Sequence, residues 1–245
     1  MKLLDGKIVI ITGAGSGIGE ACVEVCVREG AKVLAADVSG AQNEVAARLG
    51  SSVLPVQCDI TKEAEVEALF QLAVKEFGRL DVLLNIAGIA DAGVIAEVDM
   101  GQYDKMMDVD LRGSFLATKY AFRAMEDKGG SIVLCSSIGG LNSSPFTAVY
   151  GAAKAGVVHL TKSAALEGGP NNIRVNCLCP GYIANTNMSN GAEEFMPEIV
   201  TKACLQRGGK VHEVAEVAAF LASERASYVS GAIIPVDGGW SSKLA

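Results

Sequence analysis

Tyr150 and Lys154 stand four residues apart in the run Tyr150-Gly151-Ala152-Ala153-Lys154-Ala155-Gly156. On a helix, that spacing stacks both side chains on one face, one turn apart. A phenol ordinarily ionises only near pH ~10 and is a poor base at neutral pH, and a fixed ammonium beside it is one of the few ways to change that. The pair therefore suits proton transfer, provided other residues bring it a substrate oxygen and an electron acceptor. A half-exposed helix face that happens to carry Tyr and Lys is the competing explanation.

A second cluster, Thr12-Gly13-Ala14-Gly15-Ser16-Gly17-Ile18-Gly19, follows a short apolar run and precedes a helical pattern. Glycines let the backbone turn tightly and approach a pyrophosphate, which then lies against the N–H groups and positive dipole end of the helix. Asp37 ends the next apolar run, eighteen residues beyond Gly19. A carboxylate there accepts hydrogen bonds from an adenosine ribose diol. It would repel a 2′-phosphate, and no Arg stands beside it or at Ser16, so the pattern favours NAD over NADP. A strand-end carboxylate that merely caps the turn at Ser39-Gly40 is the structural alternative.

These residues need a scaffold, and the chain supplies a regular one. Short apolar, β-branched runs at 8–11, 32–36, 53–57, 82–85, 132–135, 174–178 and 233–236 alternate with helical patterns at 17–28, 42–49, 62–77, 102–126, 149–166 and 212–222. Seven strands with intervening helices predict an α/β fold: one doubly wound domain over residues 1–245, with a parallel sheet covered by helices on both faces. Thr61 before Lys62-Glu63-Ala64 is the expected cap of the third helix. The alternation lapses only across 180–205, where Asn and Ser are frequent and Met188, Phe195 and Met196 add apolar surface. An irregular stretch this long in a compact domain suggests a substrate-covering loop, here 182–205, with a short helix in it.

In their order and spacing these motifs resemble the short-chain dehydrogenase/reductase family over essentially the whole chain. Thr12 to Gly19 fits its Thr-Gly-x-x-x-Gly-x-Gly turn, which assigns Gly13, Gly15, Ser16, Gly17, Ile18 and Gly19 to the cofactor. Asp59-Ile60 resembles its adenine contact, and Asn85-Ile86-Ala87-Gly88 its fourth-strand motif, through Asn85, Ala87 and Gly88. Pro180 and Gly181 resemble its nicotinamide-side turn, with Ile183 just after; the family's Thr usually stands one residue earlier than Thr186, so Thr186 through a one-residue bulge, or Asn185 in its place, would reach the nicotinamide carboxamide. Ser137 lies thirteen residues before Tyr150, as the family's catalytic serine does, with Ser136 as its neighbour. The resemblance implies a homotetramer and a NAD-dependent interconversion of secondary alcohol and ketone. Tyr150 would exchange the proton, Lys154 would depress its pKa and hold the nicotinamide ribose, and Ser137 would bind the substrate oxygen. A pocket lined by Leu141, Asn142, Phe146 and Trp240 suits a hydrophobic or alicyclic substrate, steroid-like or cyclic.

One departure stands out. Val109-Asp110-Leu111-Arg112-Gly113-Ser114-Phe115 carries Asp where the family usually has Asn. In the family the backbone carbonyl at that place holds a water leading to the lysine, so Asp110 could preserve the relay. Its carboxylate could equally pair with Lys154 and weaken the pull on Tyr150. Asp110 motivates one rival reading, a catalytically weak NAD-binding sensor; the other, an NADPH-dependent 3-oxoacyl-carrier-protein reductase of the same family, is opposed by Asp37 and the acidic balance.

Composition narrows the field further. A net charge of -7 and a pI near 5.0 oppose a nucleic-acid partner, since phosphate neutralisation needs clustered Lys and Arg. No apolar stretch approaches the roughly eighteen residues that cross a bilayer, and the charged start Met1-Lys2-Leu3-Leu4-Asp5-Gly6-Lys7 is no secretory segment. A soluble cytoplasmic protein is expected. Seven cysteines without paired spacings, and only two histidines, His159 and His212, argue against a metal centre or a Ser-His-Asp triad.

Overall fold

The computed structural model describes residues 2–190 and 198–242. Seven strands, β1 (Ile8–Thr12), β2 (Lys32–Asp37), β3 (Val53–Gln57), β4 (Val82–Asn85), β5 (Gly130–Cys135), β6 (Ile173–Pro180) and β7 (Ile233–Val236), form one sheet in the order β3-β2-β1-β4-β5-β6-β7. Every pairing is parallel, with Thr12 opposite both Ala36 and Asn85. The apolar runs lack clean alternation because both faces are buried. Val9, Ile11, Leu84 and Val133 point into one core, and Ile8, Ile10, Leu83, Ile132 and Leu134 into the other.

The first core is covered by α1 (Gly17–Arg28), α2 (Gln42–Leu49) and α8 (Val211–Ala222). The second is covered by α3 (Glu63–Phe77), α5 (Gly113–Met125) and α6 (Ala148–Gly168). The short helices α4 (Met100–Met106) and α7 (Ile199–Lys202) complete the set among the described residues. The chain winds outward from β1 to β3 and then returns to place β4 on the other side of β1. That reversal opens a crevice beyond the carboxyl ends of β1 and β4, where parallel sheets of this kind bind ligands.

Two expectations need correction. The helical pattern at 102–126 is not one helix: α4 passes into a π-helical turn, Met107–Arg112, before α5 begins. The Ser114 hydroxyl donates back to the Asp110 carbonyl at 2.6 Å inside this widened turn. Thr61 is not a cap, because its N–H and hydroxyl both donate to Asp59 Oδ1, at 3.0 and 2.8 Å, and Lys62 takes the cap position. The carboxylate two residues upstream wins the competition for those donors. The short helix expected in the irregular stretch is α7; Phe195 and Met196 lie outside the described residues.

Candidate active site

Gly13 leaves β1 with φ +67, and Gly17 opens α1 with φ +57. A Cβ on Gly19 would sit 1.8 Å from the Gly13 carbonyl, so only glycine lets α1 pack back on its own turn. Ile18 packs against the first core, and Ser16 precedes the helix with its hydroxyl 3.4 Å from the Asn187 amide, which donates to it. The N–H groups at the start of α1 thus face the crevice with little side-chain bulk around them. This suits an anionic phosphate.

Thr12 fixes the turn from below. Its hydroxyl donates to Asn85 Oδ1 at 2.9 Å and accepts the N–H groups of Ile86 and Ala87 at 3.1 and 3.2 Å. Asn85 Nδ2 donates to Ser114 Oγ at 3.0 Å, and Ser114 donates to Asp110. A buried polar chain therefore ties the end of β1 to the end of β4 and on to the π-helical turn. Asn85 is a structural bridge within it.

Asp37 ends β2 with both oxygens engaged: Oδ2 accepts Gly15 N–H at 2.9 Å, and Oδ1 accepts the Ser39 N–H and hydroxyl at 2.8 and 2.7 Å. The carboxylate that the sequence offers to a ribose also caps its own turn, and it lies against the glycine cluster. Val38 beside it is exposed. Asp59 is held by Thr61, while its N–H donates to Glu65 at 2.8 Å; Ile60 is buried under Gly113.

All four expected catalytic side chains, Ser137, Tyr150, Lys154 and Asp110, converge at the carboxyl end of β5. The Ser137 hydroxyl accepts Gly139 N–H at 3.1 Å, and it lies with the Tyr150 ring against Gly139, 3.5 and 3.2 Å from a Cβ placed there. Ser136 has a different role: buried, it donates to the Lys154 carbonyl at 2.8 Å. Lys154 Nζ lies 5.8 Å from the Tyr150 ring centroid, donates to the Cys135 carbonyl at 3.2 Å and pairs with Asp110 Oδ1 at 3.2 Å. Asp110 Oδ1 also accepts Ile89 N–H at 3.0 Å, whereas Oδ2 is buried without a hydrogen-bond partner among the described residues. A Cβ on Gly88 would come 2.7 Å from Asp110 Oδ1 and 2.9 Å from Lys154 Nζ, so bare backbone closes over the pair.

Burial and charge oppose each other at all three titratable groups. Burial raises the Tyr150 phenol above its ordinary value, outweighing the lowering by Lys154 and by the Ser137 hydrogen bond. Burial also raises the Asp110 carboxyl, against the opposing pull of Lys154 and Ile89 N–H. Burial alone would lower Lys154, but Asp110 and Tyr150 hold it above its usual range.

Beyond β6, Ile183 bridges to Gly209, and Asn185 takes a left-handed φ of +59. The chain turns there, so that Thr186 lies 3.6 Å from a Cβ placed on Gly17 and shares a 2.9 Å hydrogen bond with Ser189. Pro180 ends β6, and Gly181 N–H donates to Val236. Between this segment and β7 lies a cavity of about 280 Å³, lined by Tyr182, Leu205, Arg207, Glu213 and Asp237 among others. Phe146 instead lines a separate small hollow with Gly93, Gln102 and Val149. Cys204, at the edge of the larger cavity, is exposed and donates to the Gly239 carbonyl at 3.1 Å; the other six cysteines are buried.

A family model described as enoyl-(acyl carrier protein) reductase matches residues 13–241. Meso-2,3-butanediol dehydrogenase of Serratia marcescens is 39% identical over 238 residues, covering 96% of this chain and 94% of that one. Cis-4-hydroxycyclohexanecarboxylate dehydrogenase of Sinomonas cyclohexanicum is 39% identical over 240 residues, 96% of each. The solved structure of a short-chain type dehydrogenase/reductase from Mycobacterium marinum superimposes with a TM-score of 0.94 at 33% identity, over 98% of this chain and 97% of that one. The chain belongs to the short-chain dehydrogenase/reductase family. As a member of that family it is an oxidoreductase that uses a nicotinamide cofactor, and its glycine turn and strand ends fit such a group. No helix among the described residues is long and apolar enough to cross a membrane.

Proposed function

We propose that this protein is a NAD-dependent dehydrogenase that interconverts a hydrophobic or alicyclic secondary alcohol and its ketone. The observation that carries the reading is the convergence of the Ser137 hydroxyl, the Tyr150 phenol and the buried Lys154 ammonium at the carboxyl end of β5. When bound, the nicotinamide supplies the carbon that exchanges hydride with the alcohol carbon. The turn from Gly13 to Gly19 would hold the pyrophosphate, Asp37 the adenosine ribose, and Asp59 and Ile60 the adenine. Asn85, Ala87 and Gly88 would frame the far side, with Pro180, Gly181, Ile183 and Thr186 against the nicotinamide. The position of Thr186 against Gly17, reached through the left-handed Asn185, supports Thr186 over Asn185.

In oxidation, Tyr150 as phenolate takes the hydroxyl proton; in reduction, its phenol returns the proton to the carbonyl oxygen. Ser137 donates to that oxygen as its charge changes, and the described residues 182–190 and 198–205 would flank the substrate. Asp37 supports NAD, since it would oppose a 2′-phosphate and its partners are backbone N–H groups and Ser39. The cyclic and vicinal alcohols in the names of the relatives support the substrate class. A homotetramer joined through α5 and α6 is part of the same reading, supported by Phe115 and Leu166, which the two helices leave exposed.

The test is reduced-nicotinamide absorbance with NAD and NADP against a panel of cyclic and acyclic alcohols and ketones. NAD-dependent turnover of a cyclic or apolar alcohol is expected. Preference for NADPH with a 3-oxoacyl-carrier-protein substrate would replace this reading with the ketoreductase one, which the 36% identity to the 3-oxoacyl-[acyl-carrier-protein] reductase of Thermotoga maritima keeps in view. Cofactor binding without turnover would instead indicate a sensor.

A further inference from the structure

The Asp110 carboxylate sits at the centre of the site, fully buried and within 3.2 Å of the Lys154 ammonium beside Tyr150. It is held there by three contacts: the π-helical turn sets its backbone, Ile89 N–H donates to Oδ1, and the Lys154 ammonium pairs with the same oxygen, in a space that only a glycine at position 88 leaves open. An oxygen that accepts both an ammonium and an amide N–H is best served by the ionised carboxylate. We propose that Asp110 is a positioning residue that anchors Lys154 and cancels its charge, so that the protein reduces ketones at neutral pH and oxidises alcohols only in alkaline solution. This inference rests on the proposed role of Tyr150 as the proton-exchanging group.

The physical argument is a sum of charges. With Lys154 alone, the neighbourhood of Tyr150 would carry one positive charge that favours phenolate; with Asp110 ionised, it carries none. The Cys135 thiol on β5 also faces the pair, and burial pushes it up to about 11, leaving it neutral. Ser114 on α5 and Ser136 after β5 contribute hydroxyls already committed to the Asp110 and Lys154 carbonyls. Lys154, Asp110 and Cys135 are the titratable groups that bear most on Tyr150, whose phenol burial already holds high. At neutral pH the group therefore carries its proton. In reduction the phenol O–H bond breaks as the alcohol O–H bond forms; oxidation needs the reverse transfer and waits for the phenol to ionise.

Asp110→Asn keeps the shape and removes the charge. In the full-length protein it should move the midpoint of the alkaline rise in kcat/KM for oxidation down by about one pH unit. Below both midpoints, that shift makes oxidation about tenfold faster than in the parent, one unit being a factor of ten. A second readout needs no turnover: tyrosinate ultraviolet absorbance during a pH titration, taken as the difference between each protein and its Tyr150→Phe counterpart. It should show the same downward shift. Unchanged midpoints in both measurements, or a uniform loss of rate at every pH, would overturn the inference and leave Asp110 a structural residue. Tyr150→Phe separates the two levels, because persistent turnover in that variant would sink the assignment of Tyr150 itself. Circular dichroism confirms that each variant is folded.

Discussion

Phe146 holds φ at +67, a conformation that costs a bulky L-residue about 1–2 kcal/mol. Its carbonyl accepts Gly93 N–H at 2.8 Å, stitching the loop between Ser137 and Tyr150 to the loop after β4. The ring is largely exposed, so little packing compensates for the strain. Strain without packing in such a place points to a substrate contact. Phe146→Gly should raise the melting temperature by about 2–4 °C while raising KM for a cyclic alcohol about tenfold at similar kcat, roughly 1.4 kcal/mol of lost binding. Calorimetry and steady-state kinetics check the two halves. At Asp37, replacement by Ala together with Val38→Arg should raise kcat/KM with NADP at least ~tenfold relative to NAD; an unchanged ratio would refute the ribose assignment. The residue types of this site were legible because a Tyr-Lys pair, a glycine turn and a strand-end Asp each need few neighbours to be recognised. The turn that Asp37 caps at Ser39 and the pairing of Asp110 with Lys154 were legible as alternatives; the N–H groups of Gly15 on Asp37 and of Ile89 on Asp110 were not. Hydrogen bonds to a neighbouring loop or a distant helix leave no period in the sequence.

Among the elements, the polar chain from Thr12 through Asn85 and Ser114 to the π-helical turn shows how the site is held. Its first two links join residues 73 and 29 positions apart, all of them buried. Thr12→Val keeps the shape but strands Asn85 Oδ1 and the N–H groups of Ile86 and Ala87, at a cost of about 1–3 kcal/mol. Thermal melting should fall by roughly 2–4 °C for each kcal/mol lost, and an unchanged melting temperature would show that the chain is not needed. Gly19→Ala forces a methyl group against the Gly13 carbonyl and should abolish cofactor affinity, measured by calorimetric titration. The strands at 53–57, 82–85 and 233–236 and the helices at 17–28 and 42–49 coincide with the observed elements. Apolar runs bounded by glycine and acidic residues mark them directly. The break at Met107–Arg112 left no such mark, since one extra residue per turn barely disturbs an apolar helical pattern.

For the whole molecule, the reversal of strand order between β1 and β4 is what brings residues from β1, β2, β4 and β5 to one crevice. The alternation of strand and helix was enough to anticipate a parallel doubly wound sheet. The lapse across 180–205 likewise marked where the alternation gives way to a bridge at Ile183, a set of turns and α7. If α5 and α6 join subunits, Phe115→Lys should yield a smaller species in sedimentation, with its far-ultraviolet circular dichroism intact. The distribution of thiols has a practical use as well. Six cysteines are sealed in the interior and Cys204 alone is exposed, next to Gly239 at the rim of the 280 Å³ cavity. A thiol-reactive dye would therefore attach at one position without any engineering, and its colour would report the polarity of that rim as cofactor or substrate is added.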